Sequence, residues 1–182
     1  MTGLSVRARG DWVATLRHVS VHLMETMARW VPTSPEYEAK TLFGRHLWDL
    51  AQHADALGHR TAELRLGLHA SRAPIAEYLT VLQDIGRREA SPERISGMYD
   101  SALVDLRRRY EKYLTSVDPL LDEPTVRIAE RAVADLERLL RERDEVVAAR
   151  RDLRSTPDEE SLAALAAVAS FVDFRPETVA AS

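Results

Sequence analysis

An all-α fold is what this sequence predicts, and three observations carry the prediction. Apolar residues recur at intervals of three and four along most of the 182-residue chain, which turns one face of a helix toward a core. Only seven glycines occur, the last at Gly97, and alanine, leucine and arginine dominate the second half. Alternating strand patterns are absent, which sets mixed α/β folds aside.

The chain is long enough for one domain with a full core, read as a helical bundle over about 10–152 and a C-terminal helix and tail over about 156–182. Apolar content of 45% and charged content of 30% belong to a globular protein. With no cysteine, thiolate metal sites, disulfides and cysteine nucleophiles are excluded. A net charge of −4 gives no general attraction to nucleic acid, and Arg107-Arg108-Arg109 reads as a solvated face. No stretch approaches a membrane span, and charges interrupt the first thirty residues where a signal peptide would need an apolar block. A cytoplasmic protein is expected. Arginine outnumbers lysine 23 to 2, which points to a GC-rich bacterial genome.

The first helix, about 10–31, carries Trp12, Leu16, Val19, Leu23, Met27 and Trp30 on one stripe. Proline is tolerated in a first helical turn, where its missing N–H has no intrahelical partner. Helix starts are therefore read at Ser34-Pro35-Glu36, Ser91-Pro92-Glu93, Glu123-Pro124-Thr125 and Thr156-Pro157-Asp158-Glu159, the last in capping-box form. They give helices over 35–66, 92–117, 123–152 and 157–171. A short helix over 73–85 carries Ile75, Leu79, Leu82 and Ile85 and stops at Gly86. Two long hairpins joined by a longer crossover result.

The second helix has Ala39, Phe43, His46, Leu50, His53, Leu57, Thr61 and Leu64 at core spacing. Its two imidazoles lie two turns apart on that face, about 10.5 Å along the axis. The third long helix presents Tyr99, Leu103, Leu106, Tyr110, Tyr113 and Val117, with Asp100 and Asp105 beyond the stripe's edges. The fourth presents Val126, Ala129, Val133, Leu136, Leu140 and Val147 without an acid.

The segments YEAKTLFGRHLWDLAQHADALGHRTAELR (37–65) and DEPTVRIAERAVADLERLL (122–140) resemble core helices of ferritin-like proteins. The resemblance covers about residues 10–150 and implies a four-helix bundle of two hairpins, with a crossover helix and an extra C-terminal helix. It also implies a dinuclear metal site built from Glu and Glu-x-x-His ligands. This chain has no Glu-x-x-His, and Leu50-x-x-His53 stands where the motif is expected. The metal site reads as degenerate, so no metal cofactor is expected.

His46 and His53 are the leading site residues. Asp49, three residues after one and four before the other, can orient an imidazole for proton transfer, or can pair an arginine instead. Tyr110 joins them as a hydroxyl donor, and Tyr99, Tyr113 and Arg109 are read as ligand-binding groups beside them. The competing reading makes the tyrosines core and Arg109 surface. His18, His59 and His69 read as surface, and His22 with Glu25 forms only a reversed motif with Glu25 facing outward. Trp48 lies opposite the histidines and calls for cover by the C-terminal stripe of Leu162, Leu165, Ala166, Ala169 and Phe171, or by a second copy. The final segment FVDFRPETVAAS is otherwise read as a dimer arm.

Three functions compete. One is a metal-free bundle holding a small organic molecule in an interior pocket lined by both histidines and the tyrosines, with acid–base chemistry. A second is a metal-dependent oxidase or oxygenase using iron or manganese at His46, Asp49 and His53, with His22 or Glu38 as a further ligand. The third is a non-catalytic interaction protein whose polar core fixes helix register. The partners expected are a small organic molecule and, in a homodimer, a second copy of the chain.

Overall fold

The computed structural model describes residues 4–174. Its regular structure is helical, with no strand among the described residues. Helix α1, Val6–Thr33, starts on Ser5, whose hydroxyl accepts the Ala8 N–H at 3.2 Å. It runs through Pro32 and ends at Ser34, whose N–H and hydroxyl both donate to the Trp30 carbonyl at 2.9 Å.

Helix α2, Tyr37–Glu63, is continuous through Gly44 and Gly58. It begins two residues after Pro35, with Glu36 as its N-cap, so this proline precedes the helix and does not fill its first turn. Helix α3 is Ala76–Gly86. The expected helix over 92–117 is three pieces end to end: α4, Ser91–Ile95, a π-helical stretch, Ser96–Ala102, and α5, Leu103–Ser116. Pro92 and Pro124 do occupy first turns, of α4 and of α6, Glu123–Ala149. A 3₁₀ turn, Arg151–Leu153, precedes α7, Glu159–Ala167. Asp158, not Thr156, caps α7 by accepting the Ser161 N–H at 3.2 Å.

The long helices pack as two hairpins, α1 on α2 and α5 on α6, with α2 also lying along α6. Cross-pairs fix the last two as antiparallel: Glu38 meets Arg150, His46 meets Glu142, Asp49 meets Arg138, His53 meets Asp135 and Arg60 meets Thr125. The first number rises as the second falls. Between the helices lie Trp12, Leu16, Leu23, Met27, Phe43 and Leu50, all buried as the stripes predict. Each such side chain stabilises the fold by roughly 1.5–3 kcal/mol on leaving water.

Two expectations are corrected here. Asp105 is buried, because α3 and α7 pack on the outer side of α5 and close over it. It accepts from Tyr78 Oη at 2.8 Å and pairs with Arg109 at 3.0 Å. The same arginine donates to the Leu165 and Val168 carbonyls at 2.6 and 2.7 Å and so fastens α7 to α5. Because α7 lies there, it does not cover Trp48, which is 64% exposed on α2. Phe171 is nonetheless buried, packed edge-on against Trp12 with ring centroids 5.2 Å apart. The dimer arm read in FVDFRPETVAAS falls mostly outside the described residues.

One buried carboxylate gathers all four long helices at one end of the assembly. Asp122, at the start of α6, is fully buried and accepts from the Tyr113 hydroxyl of α5. Arg60 of α2 donates to it at 2.8 Å, Thr125 of α6 at 2.8 Å, and Arg9 of α1 lies 3.5 Å away. Removing the Asp122 charge leaves Arg60, among the described residues, only the exposed Glu63 as a counter-ion, and breaking a buried ion pair on one side costs up to about 3–5 kcal/mol. Asp122→Asn should therefore lower the unfolding free energy by about that amount in urea denaturation. A loss under about 1 kcal/mol would mean that water already supports Arg60.

Candidate functional site

The polar residues between α2 and α6 form a ladder whose rungs recur every seven residues. His46, His53 and Arg60 stand at i, i+7 and i+14 on α2, so each points at α6. Their partners Glu142 and Asp135 are again seven apart. A seven-residue interval is two helical turns, which keeps both sets of side chains on one seam along the two antiparallel helices.

At the first rung, His46 is fully buried and bridges two groups. Its Nδ1 lies 2.7 Å from Tyr99 Oη, and its Nε2 lies 3.0 Å from Glu142 Oε2. Burial pushes the Tyr99 hydroxyl well above its ordinary value of 10.0, so it keeps its proton and donates. Burial also raises the Glu142 carboxyl, but the hydrogen bonds from His46 and Arg138 outweigh it and hold that group below 4.5. Glu142 is therefore an acceptor. A donor on one side and an acceptor on the other leave one neutral tautomer, with the proton on Nε2. Tyr99 reaches this position from the π-helical stretch, where the wider turn departs from the usual helical spacing.

At the second rung, His53 is 3% exposed and its Nε2 lies 3.0 Å from Asp135 Oδ2. Burial raises the Asp135 carboxyl, yet the bonds from His53 and Arg138 hold it below 3.8. Asp135 thus takes the Nε2 proton. His53 Nδ1 is buried without a hydrogen-bond partner among the described residues. An imidazole held at one nitrogen by a carboxylate, with a lone pair left at the other, is how a general base is prepared. Burial pushes both histidines below 6.5, more than their acidic neighbours raise them.

Arg138 joins the rungs. It donates to Asp49 at 2.8 Å and to Glu142 at 3.0 Å, and lies 3.5 Å from Asp135. Asp49 therefore pairs an arginine and does not orient either imidazole. A carboxylate-bridged pair of metals, as the ferritin-like resemblance implies, does not fit these residues. The cation among the carboxylates is Arg138 itself, which takes the Asp49 and Glu142 oxygens that bridging metals would need. Iron or manganese at His46, Asp49 and His53 meets the same obstacle.

Of the tyrosines, only Tyr99 meets a histidine. The Tyr110 hydroxyl lies 3.5 Å from Ser20 Oγ and is pushed up to about 12 by burial, while Tyr113 donates to Asp122. Arg109 is occupied by Asp105 and the α7 carbonyls and has no free donor fork to offer a ligand. The expected single interior pocket is thereby redistributed, with two clefts opening beside the ladder. One, of about 340 Å³, is lined by Tyr37, Glu38, Arg45, Glu142 and Glu145. The other, of about 310 Å³, is lined by Gln52, His53, Asp55, Arg127, Ile128 and Arg131.

Sequence reasoning missed Asp135, Arg138 and Glu142. Their three- and four-residue spacing was the available signal, and it reads equally as a solvated charged face. Compared with known proteins, the chain matches no protein-family model, no curated protein and no solved structure.

The ladder makes stability depend on pH in one direction. A folded state that holds its histidines below 6.5 resists their protonation, so their contribution is complete above 6.5 and is lost as pH falls below it. The depressed Glu142 and Asp135 add a further loss below 4.5 and 3.8. Urea denaturation should show stability falling from pH 7 to pH 5, by at most about 1.4 kcal/mol per pH unit for each histidine. A His46→Gln, His53→Gln double variant should start lower and slope less over that interval. An unchanged slope would assign the acid sensitivity to His18 and His22, which burial also depresses.

Proposed function

We propose that this protein binds a small organic molecule in the cleft at His53 and that His53 acts there as an acid–base group, without a metal. The observation that carries the reading is the unpartnered Nδ1 of a buried imidazole whose other nitrogen is held by Asp135. Leaving a buried polar atom unsatisfied costs about 1–3 kcal/mol, and a ligand proton donor would supply its missing partner. Arg127 and Arg131 line the same cleft and favour a molecule carrying an acidic group. His53 would take a proton from this molecule or return one, while Asp135 stabilises the imidazolium that forms.

The bundle behind this site is proposed to be ferritin-like, in that two antiparallel hairpins are joined by one long crossover. The contacts of α1 with α2, of α5 with α6 and of α2 with α6 support that arrangement.

A second reading is favoured by the ladder's seven-residue period. Paired polar rungs fix the register of two helices, and a non-catalytic interaction protein would need no more than that. The two readings separate on one variant. In the binding reading, small carboxylates and phosphate esters perturb the amide signals of Gln52, Asp55 and Ile128 around the cleft of the wild-type protein in NMR titrations. His53→Gln then abolishes the response with modest loss of stability, and His46→Gln retains it. In the register reading, no compound binds, and His53→Gln costs about 1–3 kcal/mol by breaking the buried bond to Asp135.

A further inference from the structure

A second group of ionisable side chains lies away from the ladder, where α2 ends and the chain turns toward α3. Asp55 and His59 stand one helical turn apart on the exposed side of α2, with His59 Nε2 3.8 Å from Asp55 Oδ2. His69 comes from the following loop and places its ring against His59, with centroids 5.2 Å apart and planes at 62°. One donor atom from each of the three lies within 4.8 Å of the others. Among the described residues, this is the one such group of three.

The backbone holds His69 there at a cost. Its φ is 55°, in the left-handed region that side chains other than glycine's seldom adopt. Its N–H donates to the Gly58 carbonyl at 3.0 Å, and Thr61 pins the loop by donating to the Gly67 carbonyl at 2.9 Å. Gly58 makes the approach feasible. A Cβ at that position would fall 2.0 Å from His69 Nδ1, so any larger residue would drive the imidazole off the helix. A strained residue in a glycine cradle, carrying its ring to a histidine and a carboxylate, is an arrangement that local packing alone does not call for.

We propose that Asp55, His59 and His69 bind a divalent transition-metal ion, with zinc the best match. Two imidazoles and one carboxylate suit zinc and its neighbours and not magnesium or calcium, which take oxygen-rich shells. Ligand bonds of about 2.0–2.2 Å in a tetrahedron set donor atoms roughly 3.4 Å apart, so the three need to draw in by up to about 1.4 Å. His59 and Asp55 are exposed and free to rotate into place. Three protein ligands leave a coordination position open to water or another ligand, and the ion would clip the loop to α2. Arg17 faces Gly58, and Arg127 and Arg131 line the cleft that Asp55 shares. The proposal does not depend on the His53 reading, although Asp55 also lines that cleft.

The test uses tag-free full chain titrated with zinc alone, followed by calorimetry, and with cobalt(II), whose visible spectrum reports coordination geometry. Expected is saturable uptake of one equivalent in the presence of excess magnesium, a higher Tm with zinc, and tetrahedral or five-coordinate cobalt bands. His59→Ala, His69→Ala and Asp55→Asn should each weaken zinc binding by about tenfold or more. Gly58→Ala, which leaves all three ligands in the sequence, should do the same. Absence of saturable uptake in the wild-type chain would overturn the proposal. So would a loss of less than about tenfold in both histidine variants when their helical content matches wild type.

Discussion

The structure depends on the polar seam between α2 and α6, anchored at one end by the buried Asp122 carboxylate. Apolar stripes drive the helices together, but apolar packing alone tolerates sliding by a turn. Charged rungs do not. Moving α6 by one turn would separate His46 from Glu142, His53 from Asp135 and Arg60 from Asp122 at once. Each separation would leave buried polar atoms unpaired, so the seam selects one register from several of similar apolar burial. Asp122 extends that choice to α1 and α5 through Arg9 and Tyr113.

The seam that sets register also sets chemistry. Water is kept from His46 and His53, which stay neutral near pH 7 because burial outweighs the pull of their acids. His46 is engaged at both nitrogens, by a tyrosine that donates and a glutamate that accepts. His53 has the same kind of acidic partner on one side and none on the other. Two histidines on one stripe therefore differ in what they offer, and the difference comes from their neighbours. Arg138 balances Asp49, Glu142 and Asp135, so one guanidinium offsets three neighbouring carboxylates.

Much of this was legible in the sequence. The α2 stripe from Ala39 to Leu64 is buried as its spacing indicates, both histidines included. The α1 and α5 stripes are likewise buried. The fourth stripe carries no acid because Asp135 and Glu142 flank it and do not lie on it. Each is roughly a quarter exposed, and helical spacing alone does not separate such edge positions from a solvated face. Asp105 and Arg109 escaped because a second layer, α3 and α7, covers the side of α5 that a single-layer bundle would leave wet. The π-helical stretch around Tyr99 has no sequence signature comparable to a cap or a proline. His69 was read as surface because a loop residue owes its position to Gly58, eleven residues earlier, and not to any periodicity.

The central claim is that neighbours fix His46 and His53 in one neutral tautomer while leaving a single lone pair open, at His53 Nδ1. Nitrogen-15 NMR of histidine-labelled protein at pH 7 reads this directly, since protonated and lone-pair ring nitrogens have well-separated shifts. The expected spectrum has a proton on Nε2 of both rings, with His46 Nδ1 shifted by its hydrogen bond from Tyr99 and His53 Nδ1 at the position of a free lone pair. A proton on His53 Nδ1, whether as the other tautomer or as an imidazolium, would contradict it.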